Sequence, residues 1–373
     1  MGTFFADGEL TSAPLQIVVT TILRQVIDEN DRQIIKDLIL MLDSLLQAFR
    51  ELFGNALQTS FMLFKIIVPI SIVTRIFLQW GVVDYLGILL GPIMELVGLP
   101  GQMGLVWATS MIINIYAGIV VFTSLAPGSD LTVAQVSVLG TMILVAHSIP
   151  VEALIARKAG TRLRATILIR VSGALLIGWI LHLAYQLTGT LQQANQALWN
   201  PPAVDPTWSA WLMAELRNML IIFLIILALM ALLMIMKKLR ISELMVRLLA
   251  PILKMLGMSR DAAPVTIIGM TLGLSYGGAL IIQEAQSGRM SKHDLFASVT
   301  LMGLCHSLFE DTLLMMVIGA HLSGIFWARL IFSLLAIFLL VKFIRKMPDQ
   351  LLDRYLVRRA AVIKDGKPEA NKF

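Results

Sequence analysis

Long apolar runs separated by short polar breaks dominate the chain. Residues 57–80, 102–125, 132–156 and 165–187 each approach the roughly 20 residues that a membrane-crossing helix needs. Residues 209–236, 262–285, 294–321 and 323–342 repeat that series. The runs are continuous rather than alternating, so the pattern predicts helices and excludes a β-barrel. A shorter helix, 82–98 or 241–257, precedes the second run of each series, and Gly98-Leu99-Pro100-Gly101 stops the first of these. Ahead of them all, 14–53 is amphipathic: Ile34, Leu38, Leu45, Phe49 and Leu52 recur at helical spacing, between Arg32, Lys36, Asp37, Asp43 and Glu51. Such a helix suits the membrane interface, a partner subunit or this protein's own core.

Composition agrees with a polytopic helical membrane protein. Hydrophobic residues make up 57% of the chain and charged ones 14%, against about a quarter charged in soluble domains. The net charge of +6 is concentrated at the ends and beside the spans, where it reports orientation and anionic lipid rather than nucleic acid. The single Cys305 excludes an intramolecular disulfide. Met1 to Ala13 shows no secretory signal pattern.

Internal repetition changes the picture. Ala146-His147-Ser148-Ile149-Pro150-Val151-Glu152 and Cys305-His306-Ser307-Leu308-Phe309-Glu310-Asp311 lie 159 residues apart. Gly91-Pro92-Ile93 and Ala250-Pro251-Ile252 share that offset, as do Gly98 and Gly257. Tyr116-Ala117-Gly118 and Tyr276-Gly277-Gly278 are slipped by one. The chain therefore reads as two copies of one membrane unit: 56–187 and 209–345, with amphipathic helices at 1–55, a linker at 188–208 and a basic tail at 346–373.

Basic residues orient the copies. Arg157, Lys158, Arg162 and Arg164, then Lys237, Lys238 and Arg240, then Lys342, Arg345, Lys346, Arg354, Arg358 and Arg359 form three clusters. All belong in the cytoplasm by the bias of membrane proteins. The expected location is the cytoplasmic (inner) membrane, with both termini cytoplasmic. The linker carries no Lys or Arg and belongs outside. Parity then makes 165–187 run outward and its partner 323–342 run inward, so the repeats have inverted topology. It also makes 132–156 and 294–321 re-entrant hairpins, with Arg289 and Lys292 on the outer side against the bias. Pro150 is the expected breaker in the first hairpin.

Inverted repeats with interrupted helices meeting at mid-membrane are how many secondary transporters build a site. Ionisable groups inside a membrane are costly and usually functional. The candidate ligands are therefore His147, Ser148, Glu152, His306, Ser307, Glu310 and Asp311, joined by Asn114, Tyr116, Tyr276 and Glu284. Bland roles compete with this: a His-to-carboxylate bond closing each hairpin, an interfacial Glu284, and close helix packing at Gly277-Gly278. Helical spacing puts Glu310 on the face of His306, whereas the repeat offset aligns Asp311 with Glu152. Glu310 is expected to fix His306, and Asp311 and Glu152 to face the cavity as a pair that makes transport respond to pH. A divalent metal would be held by His147, His306, Glu310 and Asp311. No nucleotide-binding Gly-rich loop with Lys, no HExxH and no GxSxG occurs, so no enzyme activity is expected and no cofactor is implied. A coupling proton, sodium ion or divalent metal stays open.

Leu89-Leu90-Gly91-Pro92-Ile93-Met94-Glu95-Leu96-Val97-Gly98-Leu99-Pro100-Gly101, followed by a span with Asn114 and Gly118, resembles the Gate, or nucleoside recognition, domain. The second copy, from Leu248 to Gly257 and onward, resembles it too. The resemblance spans about 60 to 340. Such domains occur in concentrative nucleoside transporters, in the membrane part of ferrous-iron transporters and in spore maturation membrane proteins. The resemblance implies a secondary-active or facilitative transporter of a small polar or cationic solute. His-Ser stands here where nucleoside transporters carry a Gly-Gln-x-Glu tip. A divalent-metal carrier and a non-transporting membrane scaffold or assembly factor are the alternatives. The expected partners are membrane lipid and a small solute, not nucleic acid; assembly as a homo-oligomer is left open.

Overall fold

The computed structural model describes residues 29–126, 129–197, 207–259, 262–288, 290–357, 363–364 and 367–368. The chain divides into two compact units, Met1–Leu57 and Gln58–Phe373. Helix α1, Glu29–Gln79, contains both the amphipathic stretch from residue 29 and the first predicted span. The helices that follow it belong to the second unit.

The protein is an all-α polytopic membrane protein. Among the described residues, five helical segments are long and apolar enough to cross a membrane. On the last of them, Ile331, Leu335, Leu339 and Phe343 are exposed at every fourth position, while Ser333, Ile337 and Val341 are buried. That is a helix with one face for lipid and one for protein.

After α1 come α2 (Val82–Leu96), α3 (Met103–Ile112) and α4 (Ile115–Leu125). The 102–125 run was predicted as one span, but it doubles back. Ile113 leaves the helical region, and Asn114, nearly fully extended, caps α4 by accepting from the Ala117 amide at 2.8 Å. The two short helices then pack on each other so closely that a Cβ on Gly118 would occupy the Ser110 side chain. The equivalent run forms α10 (Ala262–Leu272) and α11 (Leu274–Ser287), where a Cβ on Gly277 would strike Gly269 backbone. Each of these two runs folds back on itself as a hairpin of two short helices.

The runs predicted as hairpins cross instead. α5 (Val133–Val145) and α6 (Ile149–Ala159) form one interrupted span. It starts beside the linker, where Thr132 bridges Ala194, and ends beside the tail, where Thr161 bridges Val357. α7 (Leu163–Thr188) returns to the linker side. α8 (Trp208–Lys238) and α9 (Ile241–Met255) follow. α12 (Lys292–Leu304) starts on the tail side, where Lys292 pairs with Asp353 at 2.6 Å. Its continuation α13 (Glu310–Val317) ends on the linker side, where Asn195 Nδ2 donates to the Ile318 carbonyl at 2.9 Å. The two interrupted spans thus run in opposite directions. A π-helical turn, Ser323–Ala328, leads into α14 (Arg329–Ile344), and α15 (Asp349–Tyr355) closes the described helices.

Exchanging a hairpin for a span leaves the parity of everything downstream unchanged. The exchange moves Lys292 to the same side as the basic tail. Arg289 and Asn200 lie outside the described residues.

Candidate functional site

A helix interrupted within the membrane frees backbone groups that must find partners inside the protein. Here the interruption is at 146–148 and again at 305–309. Ser148 and Ser307 sit at each break in the left-handed region, at φ 48° and 46°. Pro150 falls at the start of α6, where its missing amide costs nothing. The second break has Phe309 at the equivalent place, so proline does not cause the interruption.

Partners for the freed groups come from elsewhere in the fold. The Ser148 amide donates to the Ser110 carbonyl at the end of α3, 2.9 Å, and the Leu308 amide to the Met270 carbonyl near the end of α10, 2.8 Å. Each hairpin thereby supplies acceptors that its own turn released. The half-helix carbonyls are met by histidine and arginine. His147 Nδ1 donates to the Ile143 carbonyl at 3.0 Å, and His306 Nδ1 to the Met302 carbonyl at 2.9 Å. Arg170, on α7, donates from Nε to the Val145 carbonyl at 2.9 Å. Arg329, opening α14, donates from Nε to the Leu304 carbonyl at 3.2 Å and from Nη2 to the His306 carbonyl at 2.6 Å. Arg170 and Arg329 are 2% and 0% exposed.

The two breaks meet. His147 Nε2 and His306 Nε2 face each other at 3.2 Å. Glu152, in the first turn of α6, places Oε1 3.4 Å from the first and 3.2 Å from the second. Its other oxygen pairs with Arg170 Nη1 at 2.5 Å. Asp311, in the first turn of α13, sets Oδ2 3.7 Å and 4.0 Å from the same two nitrogens. Both carboxylates lie at the amino end of a half-helix, where unpaired amides favour negative charge. His147, His306, Glu152 and Asp311 are all buried. A narrow cavity lined by Ile155, Thr166, Ile281, Val299 and Gly303 reaches Glu152 and Arg170.

The other expected ligands have different places. The ring nitrogens of His306 face Met302, Glu152, Asp311 and His147, while Glu310 stands half-buried beside Asp311. Asn114 is a helix cap. Tyr116 lies within electrostatic reach of Glu310 and Asp311. Ser148 and Ser307 shape the backbone, and Ser307 Oγ packs on Gly273. Glu284 lies in the last turns of α11, about 16 Å along that helix from the break at Gly273; Ser287 donates to its carbonyl. The side chain of Tyr276 is outside the described residues.

Arg170 and Arg329 were missed. They too are 159 residues apart, each inside an apolar span, which is a strong signal because a charge there is costly.

Comparison with known proteins bears on residues 60–162, which match the family model Gate, described as nucleoside recognition. The chain carries a Gate domain. The matched stretch takes in the first hairpin, the first interrupted span, His147 and Glu152. The Bacillus subtilis (strain 168) "Uncharacterized membrane protein YvoD" is 27% identical over 267 residues, 70% of this chain and 84% of that one. No solved structure matches the chain. A Gate domain in a polytopic helical protein points to a transport-related membrane function.

Proposed function

We propose that this Gate-domain protein is a secondary-active or facilitative transporter, built from two inverted repeats, that passes a small cationic or polar solute through the meeting point of its interrupted helices. One observation carries the reading: two imidazole nitrogens from opposite halves face each other at 3.2 Å between two buried carboxylates. A scaffold has no use for four buried ionisable groups at the crossing of two antiparallel broken spans, each of which is expensive in a membrane.

A vestibule lies towards each end of the protein. One, near the linker, is lined by Glu95, Gln135, His182 and Gln192; the other, near the tail, by Lys254, His293, Asp294 and Arg345. The basic clusters at 157–164, 237–240 and 342–354, with Lys292, share the tail side, which we assign to the cytoplasm.

The test is charge movement in proteoliposomes on a supported membrane, with divalent cations, protons and nucleosides offered in turn. The expected result is a transient current with one class of solute, abolished by Asp311→Asn. Silence with every class from folded, oriented protein, together with no uptake of radiolabelled nucleoside, would favour the scaffold reading.

A further inference from the structure

We infer that His147, His306 and Glu152 form one face of a binding site for a divalent first-row transition-metal ion, with Asp311 supplying a fourth ligand. This deepens the transport reading above and rests on it for the site's purpose.

A backbone carbonyl can only accept, so both Nδ1 atoms carry their protons to Ile143 and Met302. In a neutral imidazole the other nitrogen is then a bare lone pair. With both rings neutral, two such lone pairs point at each other across 3.2 Å in a buried site. That arrangement is repulsive unless a cation sits between them. Second-sphere fixing of Nδ1 by a carbonyl is also how metal-binding histidines are held.

Metal–ligand bonds of about 2.0–2.1 Å at tetrahedral angles separate the donor atoms by about 3.3 Å. The triangle of His147 Nε2, His306 Nε2 and Glu152 Oε1 has sides of 3.2, 3.4 and 3.2 Å. Asp311 Oδ2 stands beyond it at 3.7 and 4.0 Å, buried and without a hydrogen-bond partner. That oxygen and the two histidine nitrogens all lie within 4.8 Å of one another, a spread that one ion can gather.

Donor chemistry selects the ion. Two imidazoles with two carboxylates suit zinc, iron, cobalt or manganese in the divalent state. Sodium, magnesium and calcium prefer oxygen alone. An organic solute does not fit between nitrogens this close. The charge around the site also suits an ion that must leave again. Arg170 draws on the far oxygen of Glu152, and Arg329 lies against the His306 carbonyl, so the carboxylates hold a divalent ion less tightly than they would alone.

The experiment uses full-length, tag-free protein in detergent, stripped with chelator and titrated with Co²⁺ alone. The expected result is one Co²⁺ per chain, with the intense visible bands of a four-coordinate ion. His147→Gln and His306→Gln should lose them. Asp311→Asn should weaken binding by at least the about tenfold that even an outer-sphere partner is worth. Glu284→Gln should bind like wild type. No Co²⁺ taken up by folded wild type would overturn the site and leave a proton shared between the imidazoles. Binding retained in both histidine variants would overturn it equally. X-ray absorption on the wild type keeps the question open to refutation if those variants fail to fold: two nitrogens and two oxygens are expected, and an all-oxygen shell overturns the assignment. Co²⁺ bound but never moved across proteoliposomes would sink transport and spare the site. An organic cation moved by protein that binds no metal would do the reverse.

Discussion

Replacing Arg170 by methionine keeps most of the side chain's length and removes its charge. The arginine makes two contacts that matter: Nη1 to Glu152 at 2.5 Å and Nε to the Val145 carbonyl at 2.9 Å, both buried. Breaking a buried ion pair from one side costs about 3–5 kcal/mol, because the surviving charge is left without compensation. The orphaned carbonyl adds about 1–3 kcal/mol. Arg170→Met should therefore destabilise the protein by roughly 4 kcal/mol or more. Glu152→Gln alone leaves the arginine uncompensated and should cost about 3 kcal/mol. In the double variant neither charge is stranded, so its loss should fall short of the sum by at least about 2 kcal/mol. Equilibrium unfolding in mixed micelles, followed by tryptophan fluorescence and by far-UV circular dichroism, measures all four corners of the cycle. Losses that add within about 0.5 kcal/mol would mean the two side chains act independently, and the account of Arg170 as the partner of Glu152 would be refuted.

Three further outcomes follow from the fold and the site. In a Cys305→Ala background, Ser287→Cys should react with an impermeant thiol reagent from the same side as Lys346→Cys and from the opposite side to Gln192→Cys; reaction of Ser287→Cys together with Gln192→Cys would restore the 294–321 hairpin. Gly118→Ala should destabilise by about 1–3 kcal/mol through overpacking against Ser110, and Ser110→Gly should recover part of that loss in thermal unfolding; no recovery would place the strain elsewhere. Asp311→Asn should leave an extractable protein with a near-native melting temperature yet abolish solute-driven current, while Glu284→Gln leaves the current intact; equal loss in both would dissolve the distinction between them.

The sequence by itself carried the membrane class, the order of apolar runs and the 159-residue spacing, because lipid demands long apolar segments and the spacing needs no structure to be seen. It also named all four residues that meet at the centre, since a His or a carboxylate inside an apolar run is conspicuous. Which runs double back was not legible. Residues 102–125 and 132–156 have similar length and similar apolarity, and each is interrupted near its middle. Packing decided between them: Gly118 and Gly277 let two short helices close on each other, whereas the amides freed at Ser148 and Leu308 are taken up by the hairpins' carbonyls and the spans run on. The pairing of His306 was likewise invisible from one turn of helix. Helical spacing offered Glu310, but Nδ1 is spent on its own turn and Nε2 points across to the other half of the chain. Local sequence sets which groups a helix presents; only the crossing of two distant segments determines which of them share one buried point, because that contact closes a loop of 159 residues.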